Sequence, residues 1–297
     1  MPPTQYPSET PSEVPSQSPT TAVAPSQSPT TAPTNPPSPV PSVMPSSILF
    51  GDKTSLIAAL EQGDYSPSGP YGSILSWNVQ AVADFGSLIS GLTIAASFNG
   101  DVSMWDVSGV TAMDRIFTGA TAFNVPLNNW VVSNVNTLFV AFDGASAFNN
   151  DLNSWDTSRV LDMRYMFESC SSFNGDLSSW QTSRVTDMRA IFDKCTVFNS
   201  DISGWDVSKV KEMEASFRQC LAFNIDLSSW DISPVTDYQN MFDGATIFTQ
   251  NLCAWGNKID GASSGFLGGI FSGTACPTTG SPDLTASPKG PFCHACP

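Results

Sequence analysis

The chain has 297 residues, of which 41% are hydrophobic and 13% charged, and its net charge is −15. That composition supports a packed core in one or two domains. It disfavours nucleic acid and anionic lipid as partners, since both need clustered Lys and Arg. No apolar run approaches the ~20 residues of a membrane-spanning helix, so no membrane insertion is expected. The start, Met1-Pro2-Pro3-Thr4, shows neither the basic region nor the apolar run of a secretory signal, and no anchor is visible.

Residues 1–47 are rich in Pro, Ser and Thr, and Pro-Ser-Gln-Ser-Pro-Thr-Thr-Ala occurs twice, at 15–22 and 25–32. With almost nothing apolar to bury, this segment is expected to be a disordered, semi-stiff stalk. An O-glycosylated stalk and an unmodified linker fit its composition equally. Residues 48–70 change character: Thr54 to Glu61 reads as a short helix with Leu56, Ile57 and Leu60 on one face, an N-terminal cap.

From Trp105 onward tryptophans recur every 25 residues, through Trp130, Trp155, Trp180, Trp205 and Trp230 to Trp255. Phe98 to Phe248 keep the same interval, and Trp77, 28 residues before Trp105, begins a degenerate first repeat. A fixed period of this length predicts stacked coils, a solenoid of about seven or eight repeats over 71–256. In the coil 173–197, Val185, Met188 and Phe192 lie at i, i+3 and i+7, which predicts a short helix with Ser183 as its N-cap. The segment around Trp180-Gln181-Thr182 alternates large and small and predicts a short strand. The expected fold is therefore an α/β solenoid, leucine-rich-repeat-like, with one short strand and one short helix per coil. A β-solenoid is the alternative. Strands stacked about 4.8 Å apart would make eight coils on the order of 40 Å long.

Repetition makes columns. The Asn column from Asn99 to Asn224 is expected to bond the backbone of the next coil. Cys170, Cys195 and Cys220 align with Ala120, Ala145 and Ala245, so a small buried role is expected. One acidic column is Asp101, Asp151, Asp176, Asp201 and Asp226, broken by Pro126. A second, Asp106, Asp156, Asp206 and Asp231, is broken by Val131 and Gln181. Stacked carboxylates are oxygen ligands that calcium could take, although no EF-hand pattern is present. The simpler reading needs no cofactor, because charges ~5 Å apart in bulk water repel by only about 1 kcal/mol. Arg159, Arg184 and Lys209 precede Asp162, Asp187 and Glu212 by three residues and predict exposed pairs on the helix surface.

Residues 257–297 are expected to cap the array. Gly261 to Gly273 carries Phe266, Leu267, Ile270 and Phe271 to cover the last coil. Cys253, Cys276, Cys293 and Cys296 are disulfide candidates with three available pairings. Cys293-His294-Ala295-Cys296 also looks like half a zinc site, but disulfides fit an extracellular stalked protein better. A single histidine, His294, argues against a Ser-His-Asp triad.

Two motifs are specific: Phe198-Asn199-Ser200-Asp201-Ile202-Ser203-Gly204-Trp205-Asp206-Val207-Ser208, and Val160-x-x-Met163-x-x-x-Phe167-x-x-Cys170. They resemble the 25-residue repeats of the BspA-like leucine-rich-repeat surface proteins over roughly 71–256. The resemblance implies a leucine-rich-repeat-like solenoid, a cell-surface or secreted location and, for some bacterial relatives, adhesion to host or matrix proteins. It brings no catalytic residues. The function expected is non-enzymatic adhesion, or binding of protein, glycan or extracellular matrix. The contacts would come from strand positions expected to be exposed: Asp106, Asp156, Thr157, Asp206 and Asp231. The alternative is a passive wall or matrix component that binds ions through its acidic columns. An ice-binding threonine row is a poor fit, because Thr157 and Thr182 stand among Val107, Val132, Val207 and Ile232.

Overall fold

Each 25-residue segment lies in register on the next. In the computed structural model, which describes residues 48–259 and 267–297, single parallel bridges join Ala112, Thr137, Asp162, Asp187, Glu212 and Asp237 in succession. Asp84 leads into this series by bridging Ala112, which absorbs the 28-residue first interval. The stalk expected over 1–47 lies outside the described residues, as do 260–266, which include Phe266.

The second half of each coil is a run of turns, and the helix predicted there is absent. Among the described residues the only α-helix is α1, Lys53–Glu61; the other helical pieces are short 3₁₀ turns at Ile74–Ser76, Ala95–Ser97 and Cys253–Asn257. In the coil 173–197, the N–H groups of Ile191, Asp193 and Cys195 close turns onto residues three back. Those of Met188, Ala190, Phe192 and Lys194 instead reach the carbonyls of Glu212, Glu214, Ser216 and Arg218 in the next coil. A helix would send every N–H to i−4. Here every second one leaves the coil. Two residues per coil hold the left-handed backbone that breaks helical propagation, for example Ala190 (φ 50°) and Lys194 (φ 62°). A succession of turns spaces its inward residues three and four apart, as a helix does, which is why Val185, Met188 and Phe192 are all buried without one. The strand predicted at Trp180-Gln181-Thr182 is also displaced, since the bridges fall at the Asp187 column.

Aromatic columns fill the interior. Trp130, Trp155, Trp180 and Trp205 stack with centroids 6.5, 6.4 and 5.9 Å apart and nearly parallel rings. Two phenylalanine columns run beside them and touch within each coil, as Phe192 and Phe198 do at 3.9 Å. The tryptophan separations are those of offset-stacked rings. Each indole also has a polar partner: Trp155 Nε1 donates to Leu127 O (3.1 Å) and Trp180 Nε1 to Leu152 O (2.9 Å). The buried cysteines work the same way, with Cys195 Sγ donating to Phe167 O at 2.9 Å. Burial pushes the Cys170, Cys195 and Cys220 thiols well up, so they stay protonated. The Asn column bonds across coils through its amide oxygens, as when Asn199 N donates to Asn174 Oδ1 at 2.7 Å.

Both ends of the array are covered. At the N-terminal end Leu49 pairs with Asn78. Helix α1 starts at Asp52, whose side chain accepts from Ser55 N at 2.7 Å, and it buries Leu56, Ala59 and Leu60. At the C-terminal end Gly268, Ile270 and Ser272 accept hydrogen bonds from Asn240, Phe242 and Gly244, which makes them a last rung. Phe271 stacks on Phe242 at 5.8 Å. Disulfides Cys253–Cys296 and Cys276–Cys293 tie the segment beyond that rung.

Two stability measurements follow from this packing. Trp180→Phe keeps most of the stack but removes one of the two hydrogen bonds to the Leu152 carbonyl, which retains the Trp155 N–H at 3.0 Å, and is expected to cost about 0.5–1.5 kcal/mol in denaturant unfolding. Val140 holds φ 58°, a conformation that strains a β-branched residue. Asn240 occupies the same column with φ 54°. Val140→Asn is therefore expected to stabilise by roughly 0.5–1 kcal/mol in the same assay.

Candidate functional site

The row beginning at Asp106 is built by a turn that repeats. Trp155 and Thr157 point inward and Asp156 outward. The carboxylate of Asp156 accepts from Ser158 N at 3.0 Å. Asp106 bonds Ser108, Asp206 bonds Ser208 and Asp231 bonds Ser233 in the same way. The serine hydroxyls and then the backbone N–H groups hold all four carboxyls below the usual carboxylate range. They are therefore anionic at any ordinary pH. Asp156, Asp206 and Asp231 are exposed and form no ion pair among the described residues. At Asp106 the second carboxylate oxygen is taken by Gln80.

Thr157 does not belong with these residues. It is fully buried, and its hydroxyl both donates to Gln181 O and accepts from Gln181 N (3.2 and 2.9 Å). The other members of its column, such as Val107, Val207 and Ile232, are core. Thr157 is a core residue whose hydroxyl is satisfied across coils, and it cannot meet a partner.

The row is interrupted where Val131 replaces Asp. Val131 and Met104 are more than half exposed, and with Asp106 and Asn129 they line a depression of about 380 Å³. The Asp101 column uses the same turn, as when Asp176 accepts from Ser178 N and Asp201 from Ser203 N. Among the described residues no group of three or more His, Cys, Asp or Glu side chains is placed to hold a metal ion.

The four C-terminal cysteines are joined as Cys253–Cys296 and Cys276–Cys293. Their sulfurs are thus spent as disulfides and unavailable as the thiolates that a zinc site requires. His294 Nε2 lies 2.7 Å from Thr249 O.

The basic column behaves differently from its expected pairing. Arg159 reaches Asn134 Oδ1 at 2.7 Å, across coils. The partner of Asp162 is Arg164, two residues on, through Nε–Oδ1 and Nη2–Oδ2 contacts of 2.9 and 2.6 Å. Arg189 clasps Asp187 in the same way. One step further along each coil lies a ladder that sequence reasoning missed. Asp193, fully buried, binds Arg218 at two points (2.9 and 2.5 Å) and Lys194 at 3.4 Å. Lys194 also meets Glu168 at 3.1 Å. Beside it, burial and then the Glu168 charge raise the Asp143 carboxyl to about 6. The signal available in the sequence was the column Asp143, Glu168, Asp193, Arg218 and Asp243, where one base replaces an acid.

Among the described residues no helix is long and apolar enough to cross a membrane. No curated protein and no solved structure shows significant similarity to the chain. A family model does match, over residues 68–180 and 161–266, the region of the stacked coils. Because the two matches together span more than half of the 297 residues, the chain belongs to the family described as Mycoplasma protein of unknown function, DUF285.

Proposed function

We propose that the protein is a non-enzymatic binding array whose outward carboxylate row engages an extended protein, glycan or matrix partner through many weak contacts. The observation that carries this is the Asp156, Asp206 and Asp231 row, in which one oxygen is fixed by a turn and the exposed carboxylate forms no ion pair among the described residues. Contacts repeated at a fixed interval gain from effective concentration, so individually weak ones sum to useful avidity. The in-register stack supports the same reading: runs of turns joined by single parallel bridges favour a solenoid closer to a β-solenoid than to the α/β kind. The resemblance to BspA-like surface proteins and the two disulfides favour an extracellular or cell-surface setting. A passive wall or matrix role, with the acidic columns holding cations, is the second reading. It is favoured by the net charge of −15.

The test is retention of the full chain on the source organism's own cells and extracellular matrix, with calcium and then with chelator. Replacing Asp156, Asp206 and Asp231 together by Asn keeps an acceptor for each turn but removes the charges. The expected result is saturable retention by the wild type and a loss of roughly tenfold or more in the triple variant, with both folds intact by circular dichroism. Because these carboxyls titrate below the ordinary range, retention should persist unchanged from pH 7 down to about pH 5. Equal retention of both proteins would overturn the row as the site. Loss under chelator would move the conclusion to the cation-holding role.

A further inference from the structure

The repeat is most clearly broken on the charged ladder, at a notch between two coils. One left-handed position per coil holds Arg115, Val140, Tyr165, Ala190, Ala215 and Asn240 in turn. Four coils place a larger side chain there, and two successive coils place only a methyl group. Beside these two alanines lies a cavity of about 120 Å³, lined also by Tyr165, Glu168, Arg189, Glu214 and Arg218.

The charges around the notch do not cancel. Arg189 is held by Asp187, Arg218 by buried Asp193, and Lys194 by Glu168 and Asp193. Glu214 is half-buried and its carboxylate has no ion pair or hydrogen bond among the described residues. The leftover charge facing the notch is therefore negative. A partly desolvated carboxylate without a partner gains from a cation in contact with it.

The neighbouring coils show what such a gap can accept. Phe139 carries two guanidinium groups over its ring, Arg115 at 4.7 Å and Arg164 at 4.8 Å. Tyr165 stands edge-on to Phe139 at 6.2 Å, and no cation lies over the Tyr165 ring among the described residues. The two guanidinium groups on its walls, Arg189 and Arg218, are committed to Asp187 and Asp193, so the notch keeps a ring and a carboxylate that neither of them engages.

We propose that the notch between the Ala190 and Ala215 coils binds one guanidinium or ammonium group, with the Tyr165 ring and the Glu214 carboxylate as its principal contacts and Glu168 as its neighbour. The favoured source is a basic side chain of a polypeptide partner, because the cavity admits a headgroup and little more. The notch residues are separate from the Asp106–Asp231 row, so the proposal stands whether or not that row mediates adhesion.

The test is titration of the full chain with N-acetyl-arginine amide, followed by calorimetry and by the Tyr165 ring resonances, assigned with Tyr165→Phe. N-acetyl-citrulline amide is the neutral control and agmatine the free organic cation. The expected result is saturable binding of the arginine amide and none of citrulline. Glu214→Gln should weaken it by roughly tenfold, the usual size for loss of one charge-assisted hydrogen bond. Ala215→Arg fills the notch with the residue that Arg115 already supplies in this column at the same backbone angle, and should abolish binding. Asp226→Asn, exposed in the Asp101 column and away from the notch, should leave it unchanged. Tighter binding of the arginine amide than of agmatine supports a polypeptide source, and the reverse supports a free cation. Equal binding of citrulline, no saturation, or equal affinity of wild type and Glu214→Gln would overturn the site.

Discussion

A 25-residue coil of turns cannot satisfy its own backbone. In the stretch from Met188 to Cys195, half of the N–H groups close turns within the coil and the other half are committed to the coil that follows. Buried backbone groups left unpaired are costly, so a single coil has no reason to fold alone. The indole, thiol and amide columns obey the same constraint, each supplying a donor or acceptor to a neighbouring coil (Trp180 to Leu152 O, Cys195 to Phe167 O, Asn174 to the Asn199 N–H). One inserted residue would misalign all of these at once. That is the physical reason for seven tryptophans without an insertion or deletion between them.

The same constraint makes the ends the weak points of the array. An open end would present a row of unpaired backbone groups and a face of exposed rings, the ordinary liability of an unprotected sheet edge. The two ends are closed by different means. Helix α1 and the Leu49 bridge cover the first coil with local structure whose hydrogen bonds are largely its own. The last coil is met by an imitation of itself: Gly269 and Gly273 take the left-handed angles that the column requires, and Phe271 extends the stack. That imitation is short of regular backbone bonding, and the two disulfides supply the restraint that a further coil would have given.

Much of this was legible in the sequence, for a stated reason. Strict spacing reports register directly, so the Trp, Phe and Asn columns, and the bonding of the Asn amides to the next coil, could be read from position; the bonds of the indoles back to the preceding coil could not. The local conformation could not. An i, i+3, i+7 pattern marks which residues face inward, and a run of turns and a helix share it. The deciding feature is the left-handed position, and its signal is diluted. The second such column holds Gly119, Gly144 and Gly244 but also Ser169, Lys194 and Gln219, so the glycines mark it in only half of the coils. Thr157 was misplaced by its hydroxyl. Its column mates Val107, Val207 and Ile232 state its inward direction, and their chemistry was the better guide.

Repetition also governs how function is to be sought here. A residue type that recurs in every coil is explained by what every coil needs, and the Asp columns illustrate it: each carboxylate is first of all the acceptor that fixes a turn. Their anionic face is a by-product that a partner could exploit along its length, with no one coil privileged. Information that the fold does not require resides in the departures. At Val131 the acid is lost and an apolar depression opens. At Ala190 and Ala215 bulk is lost where the backbone angle is strained for alanine, while Arg218 and buried Asp193 hold the adjoining wall in place. Fold stability gives no benefit for removing packing there and leaving the Glu214 carboxylate unpaired. A cost of that kind, confined to two adjacent coils and absent from the rest, is what a site shaped for a ligand would show.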